Sequence, residues 1–283
     1  MSFLVTGAAG FIGSHLCRHL KNDIICCDTT ANEMLSPEKA VSFLENKKNS
    51  IECVYHLGAI SSTTETNIHK LTKANISFSS QLLECCIAFG IPFVYASSAS
   101  VYGLGMNGFQ ESAPLTPLNY YAISKATLDM YAMQKIKDNP SAKIIGLRYF
   151  NVYGKGEDHK GDMASPVHKF FKQARLQKTI KIFEGSENFY RDFIHVNDVV
   201  SITSSAQEFV SGIYNVGTGT PRSFWDVADI VKKMTDAKII KTPFPPHLTG
   251  KYQKYTRSEN SKINKIFPHK FISLENGIKE VAT

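Results

Sequence analysis

A tyrosine and a lysine four positions apart, in the segment NYYAISK, are the residues whose types and spacing most directly suggest chemistry. Tyr121 and Lys125 would share one face of a helix, because side chains at i and i+4 are neighbours there. An ammonium beside a phenol favours the phenolate, so we expect Lys125 to lower the pKa of Tyr121 from its reference of about 10. Such a phenol is a usable general base near neutral pH.

Two serines upstream strengthen this interpretation, since a tyrosine–lysine spacing alone is not specific. Ser97 and Ser98 end the apolar segment PFVYAS, which is typical of a buried strand. Ligand sites of α/β proteins form at the carboxyl ends of parallel strands. A serine hydroxyl in that position can hydrogen-bond a reacting carbonyl, so we expect Ser98 to lie with Tyr121.

The N-terminal segment TGAAGFIGSH places glycines where a dinucleotide could bind. Gly7 allows a tight turn, Gly10 lets backbone N–H groups approach a pyrophosphate, and Gly13 allows close helix–strand packing. The helix that follows favours an anion at its N-terminus. Asp28 ends the next strand, 15 residues after Gly13, where a carboxylate accepts hydrogen bonds from a ribose diol. The alternatives are a plain strand–helix turn for the glycines and a capping or turn role for Asp28.

The elements that would position these residues alternate between strand and helix. Apolar strand segments alternate with predicted helices, which implies an α/β fold with a Rossmann-like, doubly wound parallel sheet. We predict a dinucleotide-binding domain over 1–150. Residues 151–283 form mainly a smaller α/β substrate lobe, with some elements returning to the sheet. The strand segments are FLVT, DIICC, ECVYHL, PFVYAS and KIIGLRYF, and the predicted helices span 11–20, 36–48, 65–89 and 120–138.

Composition excludes several classes of protein. The net charge is +7, but the basic residues are dispersed and form no arm or stripe, so we expect a phosphate-bearing small ligand and no nucleic acid. The six cysteines contain no CxxC spacing and resemble small buried apolar residues. The chain enters its first strand without a signal segment and has no run of membrane-spanning length. We therefore expect a cytoplasmic protein with no membrane partner.

The segment YGKGEDHKGDMAS, at 153–165, lies between a strand pattern and a helical one. By pattern alone it is a surface loop in which Lys160 is a solvated charge. His159 and His168 lack a third partner at metal-ligand spacing, so we predict no metal site.

Taken together, the glycine motif, the serine-bearing strand and the tyrosine–lysine helix resemble the extended short-chain dehydrogenase/reductases that act on nucleotide sugars. The resemblance narrows to the family of ADP-L-glycero-D-manno-heptose 6-epimerases. Its long motifs run from end to end of the chain. They are HLGAISSTTE (56–65), YASSASVYG (95–103), LRYFNVYG (147–154), DHKGDMAS (158–165), IFEGSENFYRDF (182–193) and PFPPHLTGKYQKYT (243–256).

This resemblance implies an isomerase of carbohydrate metabolism, in lipopolysaccharide biosynthesis. The sugar carbon is oxidised to a ketone and re-reduced on the opposite face with bound NAD(P), NADP being the cofactor that the family favours. Tyr121, supported by Lys125 and Ser98, would be one acid/base group, and Lys160 the other. Gly156 and Gly161 would let the Lys160 loop close over substrate. The resemblance also implies a homo-oligomer.

Binding residues follow from the same resemblance, position by position. Beside Tyr121 and Lys125, the cofactor would contact Gly7, Gly10, Phe11, Ile12, Gly13, Asp28, Thr29, Leu57, Gly58, Ala59, Ile60, Ser61, Asn75 and Val152. The substrate would contact Ser98, Asn151, Asp162, Lys169, Phe183, Glu184, Gly185, Ser186, Arg191 and Tyr252. Arg191 suits a diphosphate through charge-assisted bonds, and its alternative is a structural salt bridge.

The chain also departs from the family pattern. Only 22 residues, Thr29 to Ser50, separate the second and third strands, so we predict that one outer strand is missing. Asp162 stands where a serine is expected and Lys169 where a histidine is expected, which leaves the exact sugar open. Asp28 opposes a 2′-phosphate, which leaves NAD open beside NADP. An epimerase or reductase for another nucleotide sugar is the alternative. A non-catalytic sensor is disfavoured because the tyrosine and lysines are retained.

Overall fold

The computed structural model describes residues 1–21, 23–29, 36–246 and 252–282. The backbone divides into two units, of which the first holds 1–101, 117–149 and 200–214, and the second holds 102–116, 150–199 and 215–283. Two segments therefore differ from the predicted division of the chain at residue 150. Residues 102–116 belong with the second unit, and residues 200–214 belong with the first.

The strands of the described residues are, in chain order, β1 (Ser2–Thr6), β2 (Ile24–Cys27), β3 (Ile51–His56), β4 (Phe93–Ser98), β5 (Ile144–Tyr149), β6 (Asn151–Tyr153), β7 (Thr179–Phe183), β8 (Tyr190–Arg191), β9 (Phe193–His195), β10 (Gly212–Val216), β11 (Arg222–Ser223) and β12 (Lys238–Thr242). The α-helices are α1 (Phe11–His19), α2 (Pro37–Lys47), α3 (Ile68–Leu71), α4 (Phe78–Phe89), α5 (Tyr120–Asp138), α6 (Pro166–Gln177), α7 (Val196–Ser205), α8 (Phe224–Thr235), α9 (Ser261–Asn264) and α10 (Leu274–Ala282).

The described strands of the first unit lie in a six-stranded sheet of order β10-β5-β4-β3-β1-β2. The pairs from β2 across to β5 are all parallel, so Thr6, Cys27, His56 and Ser98 end their strands at one edge. This confirms the predicted fold class. β2 lies at the border of the sheet, and the described residues between β2 and β3 contain no further strand.

Helices cover both faces of this sheet. Val54 packs into a core with Leu44 of α2, Leu82 of α4 and Leu128 of α5. The next residue, Tyr55, points to the opposite face because side chains alternate along a strand. Its hydroxyl donates to the carbonyl of Ser204 in α7 at 2.9 Å. Both faces of β3 are therefore buried, as its largely apolar sequence predicts for a doubly wound sheet.

The long helix predicted over 65–89 is helical from Ile68 to Phe89, but its winding changes in the middle. α3 ends at Leu71, a widened π-helical turn spans Thr72–Ser77, and α4 continues to Phe89. Asn75 lies in that turn with its side chain completely buried. Apolar spacing cannot reveal such a turn, because one extra residue per turn shifts the helix face only locally; π-turns are frequent at functional sites.

The described residues of the second unit form three two-stranded sheets. β6 pairs with β9 and β7 with β12 in parallel, whereas β8 pairs with β11 antiparallel. A separate core joins α6, α8 and α10 to these strands. Its fully buried members include Val167, Ile180, Val227, Val231 and Ile278.

Candidate active site

The turn between β1 and α1 is built on the predicted glycines. Gly7 has a φ of +70°, and a Cβ atom there would lie 2.6 Å from the backbone nitrogen of Gly58. A Cβ on Gly13 would lie 2.0 Å from the carbonyl oxygen of Gly7, so α1 approaches the strand as closely as glycine allows. A Cβ on Gly10 would meet only that same carbonyl, at 3.1 Å. The turn therefore leaves a backbone-lined surface at the helix N-terminus, which fits a pyrophosphate.

Asp28 follows β2 beside this turn. Its carboxylate accepts a hydrogen bond from the backbone N–H of Ala9 at 3.0 Å. The side chain is half-buried, and Thr29 after it is exposed. Asp28 thus has the turn-bracing role that the sequence left open, at the position expected for a ribose contact. Within α1, Phe11 is buried and Ile12 half-buried.

The segment after β3, Leu57 to Ser61, is held by Asn75. The Asn75 side chain accepts from the N–H of Ile60 at 2.8 Å and donates to the carbonyl of Ile60 at 3.0 Å. It also donates to the hydroxyl of Ser124 in α5 at 3.0 Å. Since Asn75 is completely buried, we infer that it positions this segment against α5. Its direct contact with a cofactor stays a prediction, as do those of Leu57, Gly58, Ala59, Ile60 and Ser61.

Tyr121 lies in the first turn of α5, whose N-cap is Asn119. The Asn119 side chain accepts from the N–H of Ala122 at 2.8 Å, which starts the helix at this point. Tyr121 hydrogen-bonds Ser98 at the end of β4. The start of α5 and the end of β4 thus bring together Tyr121 and Ser98, as expected from the sequence.

The pKa of Tyr121 is raised, so the predicted lowering by Lys125 is wrong for the chain alone. Burial of the phenol is the main cause, and the hydrogen bond with Ser98 opposes it only in part. Desolvation penalises the charged phenolate. The phenol therefore keeps its proton near neutral pH.

Lys125 is buried, with 3% of its surface exposed. Its Nζ donates to the carbonyl of Ala96 in β4 at 2.7 Å. Burial lowers the pKa of Lys125 to about 8, and the negative charge of Asp129 opposes this shift. The ammonium is thereby oriented by a strand backbone one helical turn beyond Tyr121.

A buried ion pair behind Lys125 was missed by sequence reasoning. Asp129 accepts from the Nε of Arg148 at 2.8 Å and from the hydroxyl of Tyr95 at 2.9 Å. Both charged side chains are almost fully buried. Asp129 could have been selected from the sequence, because it follows Tyr121 and Lys125 at the same four-residue spacing. Arg148 on β5 carries no comparable sequence signal.

In the second unit, Lys160 lies in the tight helical turns Asp158–Met163, which are broken at Gly161 (φ 50°, ψ −123°). Its Nζ donates to the carboxylate of Glu157 at 2.7 Å, and 21% of its side chain is exposed whereas that of Glu157 is completely buried. Lys160 is therefore not the solvated charge that the pattern alone suggested. Glu157 was overlooked because the loop composition indicated only exposure.

The two substituted positions meet in this segment. Lys169, in the first turn of α6, donates from Nζ to the backbone carbonyl of Asp162 at 2.7 Å. The contact uses the backbone of Asp162 and leaves its carboxylate exposed. Their contact with substrate stays a prediction.

Arg191 lies against one of the other predicted nucleotide-sugar residues of the second unit, Tyr252. The Arg191 guanidinium lies 5.1 Å from the ring centre of Tyr252 and 5.5 Å from that of Phe224. Burial lowers the pKa of Arg191, and Tyr252 opposes the shift. No carboxylate of the described residues forms a salt bridge with Arg191, so the structural alternative is not supported within them.

An aromatic cluster extends from Tyr252. The ring centre of Phe244 lies 5.5 to 5.6 Å from those of Phe183, Phe189 and Tyr252. The rings of Phe189 and Tyr252 also pack on each other, at 5.4 Å. Sequence reasoning did not select Phe189 and Phe244. In the same stretch Ser186 donates to the carbonyl of Phe183, Glu184 is exposed, and Gly185 has a φ of +81°. Part of the motif at 243–256, residues 247–251, lies outside the described residues.

Asn151 and Val152 open β6, which pairs with β9. Both are half-buried, and the N–H of Asn151 donates to the carbonyl of Asp192 at 3.0 Å. Across the described ranges there is no cluster of three or more His, Cys, Asp or Glu able to hold a metal ion. No helix in those ranges is long and apolar enough to cross a membrane.

The chain is similar in sequence and in structure to known proteins. A family model described as the NAD dependent epimerase/dehydratase family matches residues 3–217. An ADP-L-glycero-D-manno-heptose-6-epimerase of Brachyspira hyodysenteriae is 40% identical over 307 residues, covering 99% of this chain and 96% of the relative. The crystal structure of the Helicobacter pylori ADP-L-glycero-D-manno-heptose-6-epimerase superimposes with a TM-score of 0.87 at 27% identity, covering 99% of this chain and 94% of that one. A UDP-glucose 4-epimerase of Thermotoga maritima superimposes with a TM-score of 0.85, also at 27% identity, covering 99% and 97%.

Proposed function

The chain belongs to the NAD dependent epimerase/dehydratase family, and from that premise we propose that it is a nucleotide-sugar epimerase that inverts C6 of an ADP-glycero-manno-heptose. One observation carries the proposal. Tyr121 hydrogen-bonds Ser98 at the carboxyl end of β4, and Lys125 is buried one helical turn further along α5. This is a proton-transfer group at the sheet edge where α/β proteins bind ligands. The 40% identity to a relative of that name supports the substrate.

The first unit would hold a nicotinamide dinucleotide. Gly7, Gly10 and Gly13 would present backbone N–H groups to its pyrophosphate, and Asp28 would accept from a ribose hydroxyl. When bound, this group takes up a hydride from the sugar carbon and later returns it. The chain itself contributes binding, orientation and the movement of protons.

Tyr121 begins with its proton on the phenol, because burial raises its pKa. It can therefore donate to the oxygen of a ketone as the alcohol re-forms, while Ser98 hydrogen-bonds the same oxygen. In the reverse direction Tyr121 must accept a proton, and the buried ammonium of Lys125 favours the resulting phenolate. One residue thereby serves as acid or base for one configuration of the alcohol.

The opposite configuration needs a second group, because the two alcohols place their hydroxyls differently about the same carbon. We assign this role to Lys160. An ammonium donates protons and an amine accepts them, so Lys160 can do for one epimer what Tyr121 does for the other. Arg191 would pair with the diphosphate of the substrate.

The test is interconversion of the two C6 epimers of ADP-glycero-manno-heptose by purified protein with bound cofactor and no added oxidant, followed by NMR. Slow or absent turnover of both epimers, alongside turnover of another sugar in a panel of nucleotide sugars, would exclude this substrate. UDP-glucose belongs in the panel because a UDP-glucose 4-epimerase has nearly the same fold. Asp162 gives a further reason, since a charged residue replaces the expected serine.

For the choice of cofactor we propose NAD. Asp28 places a carboxylate at the end of β2, where it would repel a 2′-phosphate. The family resemblance favours NADP instead. Titration of the apoprotein with both dinucleotides decides the matter, and Asp28→Ser should improve NADP binding relative to NAD.

Self-association is part of the same proposal. The outer side of α5 exposes Tyr120, Ile123, Met130 and Met133, each at least 40% accessible. A second copy of the chain could cover this apolar surface. Sedimentation of the wild type against Ile123→Lys would test the assignment.

A further inference from the structure

Glu157 is an unusual residue in a loop that is otherwise polar and exposed. Its side chain is completely buried, although four of its neighbours, Lys155, Gly156, Asp158 and His159, are exposed. A buried carboxylate is costly unless several donors surround it. Its hydrogen-bond partners should therefore indicate what it does.

Those partners come from three segments of the second unit. The N–H of Ser165, at the start of α6, donates to one carboxylate oxygen at 2.7 Å, and the Ser165 hydroxyl donates to the other at 2.6 Å. The N–H of Gly154, after β6, donates at 3.3 Å. Lys160 supplies a charge-assisted bond from Nζ at 2.7 Å, and its backbone N–H donates to the carbonyl of Glu157 at 3.0 Å.

These hydrogen bonds fix the position of the carboxylate to which the Lys160 ammonium binds. Gly154 and Ser165 fix the carboxylate to a strand end and a helix start, which are both buried. Lys160 projects from a turn with an unusual backbone at Gly161, and its side chain is a flexible four-carbon stem. The buried carboxylate gives this ammonium a fixed partner.

We propose that Glu157 is the positioning residue of the second proton-transfer group: it holds the Lys160 ammonium in place before substrate binds. This rests on the proposed role of Lys160. A purely structural alternative is that Glu157 only stabilises the loop and the start of α6. The positioning role predicts that replacing Glu157 affects catalysis only when Lys160 is present, whereas the structural role predicts the same effect without Lys160.

The kinetic experiment is a double-mutant cycle on full-length holoenzyme with the ADP-heptose epimers as substrate. Glu157→Gln should lower kcat by about 100-fold with little change in KM, because a displacement near 1 Å of a reacting group has an effect of that size. In a Lys160→Ala background the same substitution should cause no further loss. Asp198→Asn is the matched control: it alters another buried carboxylate of the second unit, bonded to His269 and the N–H of Ile272, and should leave kcat unchanged.

The second experiment needs no substrate. NMR of ¹⁵N-labelled lysine side chains should show a slowly exchanging ammonium that is distinct from that of the buried Lys125 and that disappears in both Lys160→Ala and Glu157→Gln. If Glu157→Gln does not fold, Glu157→Asp retains the charge but withdraws it by one methylene, and it should lower kcat by about 10-fold and weaken the signal.

Three results would overturn the inference. One is full activity of Glu157→Gln, another is an equal loss of kcat with and without Lys160, and the third is no ordered Lys160 ammonium in the wild type. If wild-type protein turns over neither ADP-heptose, the proposed substrate fails, and the NMR experiment still decides the role of Glu157.

Discussion

Lys125 and Lys160 hold their ammonium groups in two contrasting ways. Lys125 lies on a 19-residue helix, is almost fully buried and donates to a backbone carbonyl of the central sheet. Lys160 lies in a short loop, is partly exposed and donates to a buried carboxylate. The first is held by regular secondary structure, and the second is held against an acidic side chain.

This difference predicts what is lost when each lysine is removed. Removing Lys125 disturbs a buried core in which the helix, strand and ion pair already fit together. Removing Lys160 leaves the buried Glu157 with its backbone and serine donors and without this cation. We therefore expect the first unit to lose stability, and the second to lose function, when its lysine environment is altered.

The largest expected effect is on catalysis. Tyr121→Phe and Lys160→Ala should each lower kcat by about 10²- to 10⁴-fold, the usual contribution of a general acid or base. Each variant removes one proton-transfer group, so both should still bind the nucleotide sugar with a similar Kd. Steady-state assays in both directions and calorimetric titration check this. Full activity of both variants would rule out the two-group mechanism.

The buried ion pair behind Lys125 should have the next largest effect. Arg148→Met leaves the Asp129 carboxylate without its guanidinium in the core, and we expect the free energy of unfolding to fall by about 3–5 kcal/mol. Urea denaturation measures this. Lys233→Met is the control, since it breaks the exposed pair with Asp229 and should change stability by less than about 0.5 kcal/mol. Similar losses in both variants would contradict the assigned burial.

A pH dependence should follow from Lys125. Burial lowers its folded-state pKa to about 8, below the reference value of 10.5, so the unfolded chain binds this proton more tightly. Between pH 8 and about 10 the contribution of Lys125 to stability should therefore rise with pH, by on the order of 1–3 kcal/mol. The measurement is the free energy of unfolding of the wild type minus that of Lys125→Met across this range. A difference that falls with pH would show that the ammonium is not desolvated.

Replacing each of two glycines by alanine should affect cofactor-dependent stabilisation differently. A Cβ on Gly161 would meet no atom within 4 Å, so the cost of Gly161→Ala is limited to backbone strain at φ 50° and ψ −123°, about 1–3 kcal/mol. Gly13→Ala is the comparison, because its Cβ would overlap the Gly7 carbonyl and α1 must move. Thermal melts with and without dinucleotide should show that only Gly13→Ala abolishes cofactor-dependent stabilisation.

Much of the fold could be predicted from the sequence because its signals are local. Apolar strand segments and amphipathic helices gave nearly the observed bounds of β1, β3, β4 and α5. The short segment after β2 predicted a sheet without a further outer strand, and the described residues between β2 and β3 contain none. The π-turn at Thr72–Ser77 could not be predicted, since its hydrogen bonds are decided by where Asn75 finds partners.

The candidate site divides in the same way. Tyr121, Lys125 and Ser98 were identified because residue type, spacing and strand end are all visible in one dimension. The raised pKa of Tyr121 was not foreseen, because desolvation depends on every atom around the phenol. Arg148 and Glu157 were missed because a long-range partner or a buried position leaves no periodic trace.

By itself, the sequence determined the order of strands and helices, the glycine turn and the identity of the chemical groups, since these depend on neighbours along the chain. Only the tertiary structure decided the charge environment of each group. It buried Lys125 beside a backbone carbonyl and gave Lys160 a buried carboxylate. Electrostatic energy depends on distance and solvent exposure in space, and neither is encoded by spacing in sequence.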